Sequence, residues 1–149
     1  MKEKYIIRIF TILSIILLLI SFSQRAYCVD GNCGENWSGL MCFILGVFSL
    51  IFSLSGISWL MNPLMIISYI IPIKKIKIKL ALSISGLIFG LSFLLFDEII
   101  KYEAGHYGQI TGYAMGYWIW ILDAIVNLMG ILIVNYINKN TSTQNQLCK

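Results

Sequence analysis

The chain has 149 residues, 58% of them hydrophobic and only 12% charged, with a formal net charge of +4. Soluble domains carry about a quarter charged residues, so half that proportion, with apolar runs of 17 to 24 residues, excludes an ordinary aqueous globular class. The lysines sit at the ends of apolar runs and form no continuous basic face, which argues against nucleic acid as a partner. The length allows one membrane domain, 1–149, without a separate soluble module.

Residues 1–23 begin with Lys2, Lys4 and Arg8 and continue into an apolar run. As a first spanning helix, 6–23 is at the short end of the usual range. As a signal peptide the stretch has a basic start, an apolar core and a degenerate small-x-small site at Ser21-Phe22-Ser23. That degeneracy favours a retained helix. Tyr27 before Cys28 speaks against a lipoprotein, since a small residue is needed there. Residues 24–38 then form a polar external loop. Within it Cys28 and Cys33 are close enough to pair in an exported location; Cys42 is a competing partner, and free thiols remain an alternative. Cys148 lies in the polar tail.

Residues 39–73 are 35 consecutive positions without a charge. As one helix they would be about 52 Å long, far beyond the ~30 Å a bilayer core needs. Counting back from Lys74 puts a span at 54–73 and leaves 39–52 as a re-entrant or interfacial half-helix. The expected break is at Ser53-Leu54-Ser55-Gly56, where glycine and serine weaken a helix. Asn62-Pro63 is expected to kink the spanning part. Gly46, Ser49, Ser53 and Gly56 share one face, along which another backbone can approach closely.

The turn 72–79 carries four lysines. A third span follows at 80–100, with Gly86 and Gly90 as a G-x-x-x-G packing pair. Residues 97–112 are expected as a second external loop, and Gly112 and Gly116 to continue a four-residue glycine spacing into the last helix. That helix, 113–136, has Tyr117, Trp118 and Trp120 at one end, like the aromatic belt at a membrane interface. The polar tail 138–149 is expected to be disordered.

With both termini inside, nine of the eleven basic residues are cytoplasmic, among them Lys74, Lys75, Lys77 and Lys79. Asp30, Glu35, Asp97, Glu98 and Glu103 then lie outside, as the positive-inside rule predicts. The expected fold is therefore an all-α integral membrane bundle of four transmembrane helices plus the half-helix, N-in/C-in. It is placed in a bacterial inner membrane.

Asp123 is the acidic residue that cannot easily reach water. An ionised aspartate near the centre of a span costs about 2.5–3.5 kcal/mol on insertion scales. Gly116, Trp120, Asp123, Asn127, Gly130 and Val134 fall on one helical face, expected to look inward. Asn127, Ser83 and Ser92 are the expected hydrogen-bond partners. Two roles compete: a proton- or cation-linked site, and a structural clamp between helices, which is commoner for polar residues in membranes.

Asp97, Glu98, Glu103 and His106 form an external group of metal-ligand types. Three glycines in that loop and the absence of a tighter His/Cys set favour an acidic solvated loop over a metal site. A pair of external cysteines invites comparison with membrane thiol oxidases, but the second loop has no cysteine to complete a relay. The chain shares only its size with small multidrug transporters, whose first helix carries a glutamate where this one offers Thr11 and Ser14. No nucleophile elbow, phosphate loop, H-E-x-x-H or nucleotide fingerprint is present.

Four motifs together resemble a group of small bacterial inner-membrane proteins without known activity. They are C-V-D-G-N-C at 28–33, W-L-M-N-P-L at 59–64, F-L-L-F-D-E-I-I at 93–100 and G-H-Y-G-Q-I-T-G-Y-A-M-G-Y-W-I-W at 105–120. The resemblance implies the four-helix topology and no particular function. Without a catalytic constellation the expectation is a non-enzymatic protein that needs no cofactor. It would act in the bilayer by helix–helix contact, as a homo-oligomer or with a membrane partner, in an accessory, envelope or immunity-type role. The alternative is a small ion-coupled transporter or channel-like protein using Asp123. A membrane enzyme using the external acidic loop ranks last.

Overall fold

The computed structural model describes residues 2–34, 37–100 and 107–147. In chain order it has α1 (Lys2–Ser23), β1 (Tyr27–Val29), α2 (Gly39–Phe52), a 3-10 segment (Leu54–Leu60) and α3 (Met61–Ile70). A 3-10 turn (Ile73–Lys75) leads to α4 (Ile76–Ser92), and another (Phe93–Leu95) to β2 (Glu98–Ile100), β3 (Tyr107–Tyr113) and α5 (Met115–Leu147). Three helical stretches are long and apolar enough to cross a membrane: Glu3–Ser23, Ile73–Leu95 and Met115–Lys139.

The solvent these helices are built for is visible in which residues they hide. Ile9, Ile12, Leu13, Ile16 and Leu19 of α1 are exposed, while Ser14 and Ser21 on the same helix are buried. Among the described residues ten polar side chains are buried, nearly as many as the eleven buried apolar ones. An aqueous domain inverts this pattern; a chain dissolved in hydrocarbon must pair its polar groups inside.

The uncharged stretch divides at Ser53. Its backbone is extended (φ −145°, ψ 141°), its N–H closes the last turn of α2 on Ser49 O at 2.8 Å, and its hydroxyl accepts from Ser55 N at 3.3 Å. The chain then doubles back on α2. A Cβ on Gly56 would collide with the Ser49 backbone, and one on Gly46 would collide with the Trp59 ring. Trp59 Nε1 donates to Phe43 O at 2.7 Å, tying the two segments together. The four residues expected to share one helical face therefore do not: Gly46 and Ser49 lie on α2, Gly56 on the returning segment, and the two segments face each other across Gly46–Trp59 and Ser49–Gly56.

The second half of the stretch departs from expectation. In place of one helix over 54–73, seven residues of 3-10 helix precede ten of α-helix. Pro63 lies in the first turn of α3, where its missing N–H has no helical partner to lose. Pro72 ends α3 by forcing Ile71 into extended backbone (ψ 132°).

α5 runs antiparallel to α1, and α4 antiparallel to both α3 and α5. Along the α3–α4 seam Gly86 lies against Met65 and Gly90 against Met61, with Ile121 of α5 also touching Gly90. Gly130 of α5 packs on the ring of Phe10 of α1. Gly116, at the start of α5, meets the backbone of Arg25 instead of another helix, and its N–H donates to Arg25 O at 2.8 Å.

An all-α fold is not what forms at the end opposite the lysine turn. A three-stranded antiparallel sheet in the order β1-β3-β2 closes the bundle there. Residues 98–100, expected as the end of a span, are β2, so the long helical stretch that begins at Ile73 ends at Leu95. Gly112 is in β3 with nothing within 4 Å of a Cβ, and it takes no part in helix packing. Asp30 (φ 50°) and Gly31 (φ 75°) turn the chain after β1 in the left-handed pair of conformations that a tight hairpin requires. Val29 and Asn32 exchange backbone hydrogen bonds across this turn, and the disulfide Cys28–Cys33 joins the next pair outward, Cα–Cα 4.3 Å. Cys42 is free. Towards the other terminus α5 continues through the polar stretch to Leu147.

The glycine contacts separate three substitutions in thermal denaturation of the detergent-solubilised protein. Gly56→Ala should cost about 1–3 kcal/mol, because backbone has to yield. Gly86→Ala meets only ordinary contacts and Gly112→Ala open space, so both should stay within about 0.5 kcal/mol. A silent Gly56→Ala would show that the hairpin is not packed as described.

Candidate functional site

α5 turns Asp123 and Asn127 inward, one helical turn apart, each 1% exposed. Each gathers partners from different helices. Ser14 of α1 and Tyr69 of α3 both donate to Asp123 Oδ1, Tyr69 at 2.6 Å. Their hydroxyl oxygens are 2.8 Å apart. Each has a single hydrogen, and both hydrogens are used on the same carboxylate oxygen.

One turn further along, Asn127 Nδ2 donates to Ser68 Oγ at 3.2 Å and Ser83 Oγ at 2.9 Å, which uses both amide hydrogens. Ser68 and Ser83, from α3 and α4, are themselves 2.9 Å apart. Lys79 extends the cluster towards the lysine turn. It is 3% exposed, and its ammonium donates to the backbone oxygen of Ser68. Towards the sheet end, Trp120 Nε1 donates to Asn62 Oδ1 at 2.9 Å, closing the cluster one turn above Asp123. Four helices thus contribute to one polar band inside an apolar shell.

Two atoms in this band are left over. Asp123 Oδ2 and Asn127 Oδ1 are buried and have no hydrogen-bond partner. Both are acceptors, and no donor of the described residues reaches them. Leaving one such group unpaired in an apolar interior costs about 1–3 kcal/mol.

Sequence reasoning placed Asp123 and Asn127 on the inward face but assigned the wrong partners. Ser83 bonds Asn127, not Asp123, and Ser92 turns back to Phe89 O on its own helix at 2.7 Å. Lys79 was expected at the membrane edge with Lys74, Lys75 and Lys77; those three are exposed and Lys79 alone turns inside. Ser14, Ser68 and Tyr69 were not named as partners. The signal was available: a hydroxyl interrupting an apolar span has to find a partner within the protein, and each span has such an interruption.

The external acidic group is only partly visible. Asp97 and Glu98 are exposed at the start of β2, while Glu103 and His106 lie outside the described residues. Comparison with protein-family models, with curated proteins and with solved structures finds no match.

The shared carboxylate oxygen makes Ser14 and Tyr69 interdependent. Ser14→Ala and Tyr69→Phe should each lower stability in detergent by about 1–3 kcal/mol, and the double mutant should depart from additivity by at least about 0.5 kcal/mol. Strict additivity would mean that the two hydroxyls do not share Asp123.

Proposed function

We propose that this chain is a small integral membrane protein of a bacterial inner membrane, working as an ion-coupled transporter or channel-like protein through Asp123. The observation that carries this is the pair of unfilled acceptors, Asp123 Oδ2 and Asn127 Oδ1. Both clamping hydroxyls fall on Asp123 Oδ1 and leave Oδ2 to another use. A site that takes up a proton or a small cation needs such vacant oxygens, and ionisable groups inside a membrane commonly mark ion pathways. The small-residue faces point the same way. Much of them is occupied within the chain itself (Gly56 on Ser49, Gly86 on Met65, Gly90 on Met61), which weakens the case for a protein acting mainly by helix contact.

The topology proposed with this function has four crossings and both termini on the cytoplasmic side, with α1 retained. The fourth crossing is Leu54–Ile70, only 17 residues long. Its 3-10 part rises about 14 Å at ~2.0 Å per residue and its α part about 15 Å at ~1.5 Å. Together these reach about 29 Å, close to the ~30 Å hydrocarbon core. Lys74, Lys75 and Lys77 at one end, and Asp30, Asp97 and Glu98 at the other, fit the positive-inside orientation.

A second role has one observation in its favour. α2 has no buried residue and exposes Ile44, Phe48, Ile51 and Phe52. A membrane partner or a second copy seated there would make the chain an accessory, envelope or immunity-type factor.

Purified protein in liposomes loaded with a pH-sensitive dye tests the first proposal. Wild type should carry a proton or alkali-cation flux, and Asp123→Asn should abolish it while inserting normally. No flux above empty vesicles at any pH between about 5 and 8 would dismiss it. Native mass spectrometry in mild detergent tests the second: a monomer with nothing co-purifying counts against action by contact.

A further inference from the structure

Between the α2 hairpin and the sheet end of α5 lies a cavity of about 500 Å³, which meets the polar band at Asn62 and Trp120 and is not lined by Asp123 or Asn127. Two runs of touching aromatic rings border it. On one side Phe22, Phe43 and Trp59 are linked at centroid distances of 4.9 and 6.5 Å. On the other, Trp37, Tyr27, Phe93, Tyr117 and Trp120 follow one another at 5.2, 5.2, 5.8 and 6.1 Å. Among the described residues no charged side chain lines the space; its polar groups include hydroxyls, a thiol and amides, among them Ser49, Ser53, Ser55 and Asn32.

Most of these polar groups have other tasks. Ser49 and Ser58 turn back to backbone oxygens of their own segments, at 2.6 and 2.8 Å, and Ser53 and Ser55 bond each other at 2.7 Å. Tyr27 and Cys42 both line the cavity as neighbours. Burial first, and then the neighbouring Cys42, holds the Tyr27 phenol well above its ordinary value, so it lines the space as a neutral hydroxyl.

A space of this size is in the range of small-molecule sites, which are mostly apolar with a few polar groups to fix orientation. Its chemistry selects among ligands. An ion would have to leave water without a counter-charge on the walls, at a cost of several kcal/mol, whereas a flat ring gains offset or edge contacts with rings on either side. We infer that this cavity is a binding site for an uncharged aromatic small molecule. The site does not depend on ion transport through Asp123, and it stands or falls separately.

Cys42 supplies a reporter inside the cavity. With Cys148→Ser and the Cys28–Cys33 disulfide intact, it is the single free thiol, and its alkylation by N-ethylmaleimide reads occupancy directly. The probe is 1-naphthol, compared with 1-naphthalenesulfonate and (1-naphthylmethyl)trimethylammonium, which have the same rings and a charge. Saturating 1-naphthol, at about ten times its dissociation constant, should slow labelling about tenfold, and the two charged probes should leave it unchanged. The same labelling rate with and without all three probes would overturn the site. Stronger protection by the ammonium than by the naphthol would overturn the uncharged class and make the aromatic walls a cation cage.

Discussion

The constraint from which the rest follows is that hydrocarbon accepts no hydrogen bond. Every polar group carried into helices long and apolar enough to cross a membrane must there be answered by another group of the protein. The structure meets this demand by gathering them in one place. Ser14, Ser68, Tyr69, Lys79, Ser83, Asp123 and Asn127 come from four helices, yet form one band. The isoleucines and leucines that would fill a soluble core face outward, and glycines and methionines fill much of the interior. Asp123 organises the band because it is the acid that hydrocarbon tolerates least and the residue on which α1 and α3 converge.

The same constraint explains why much of the fold could be read in advance. Charge-free runs bounded by lysines mark helices, and 35 uncharged residues are too many for one crossing, so a division near Ser53 is dictated by length. What could not be read is where a helix tightens. The 3-10 geometry of Leu54–Leu60 comes from its close approach to α2 at Gly56 and Trp59, a tertiary contact that no local propensity encodes. Lys79 belongs to the same class: its place four residues into α4 suggests a membrane-edge anchor, and only the position of Ser68 draws it inside.

The sheet is a different case, because its signals were present. Asp30-Gly31 is a two-residue turn pair with a cysteine on either flank, the pattern of a tight hairpin. Tyr107–Tyr113 has two β-branched residues between its glycines and a tyrosine at each end, which suits a strand as well as a loop. A polar, glycine-containing stretch between apolar spans is easily taken as irregular. It forms strands here because β1 and the β2–β3 pair are brought together by the helices that carry them, and Thr111 and Gln109 then bond Gly31 and Asp30 across the gap. This cap fixes the sheet ends of α1 and α5 against each other and forms one wall of the aromatic cavity.

The contact on which all of this rests is the one between Ser14 on α1 and Asp123 on α5. Cysteines placed at these two positions, with Cys42 and Cys148 changed to serine, can be oxidised in native membranes and the free thiols counted by alkylation and intact mass. A matched pair at Ile15 and Leu122, both turned outward, is the control. The Ser14/Asp123 pair should lose both free thiols on oxidation while the control pair keeps them. Two free thiols at 14 and 123 after oxidation, or a bond at 15 and 122 instead, would contradict the account.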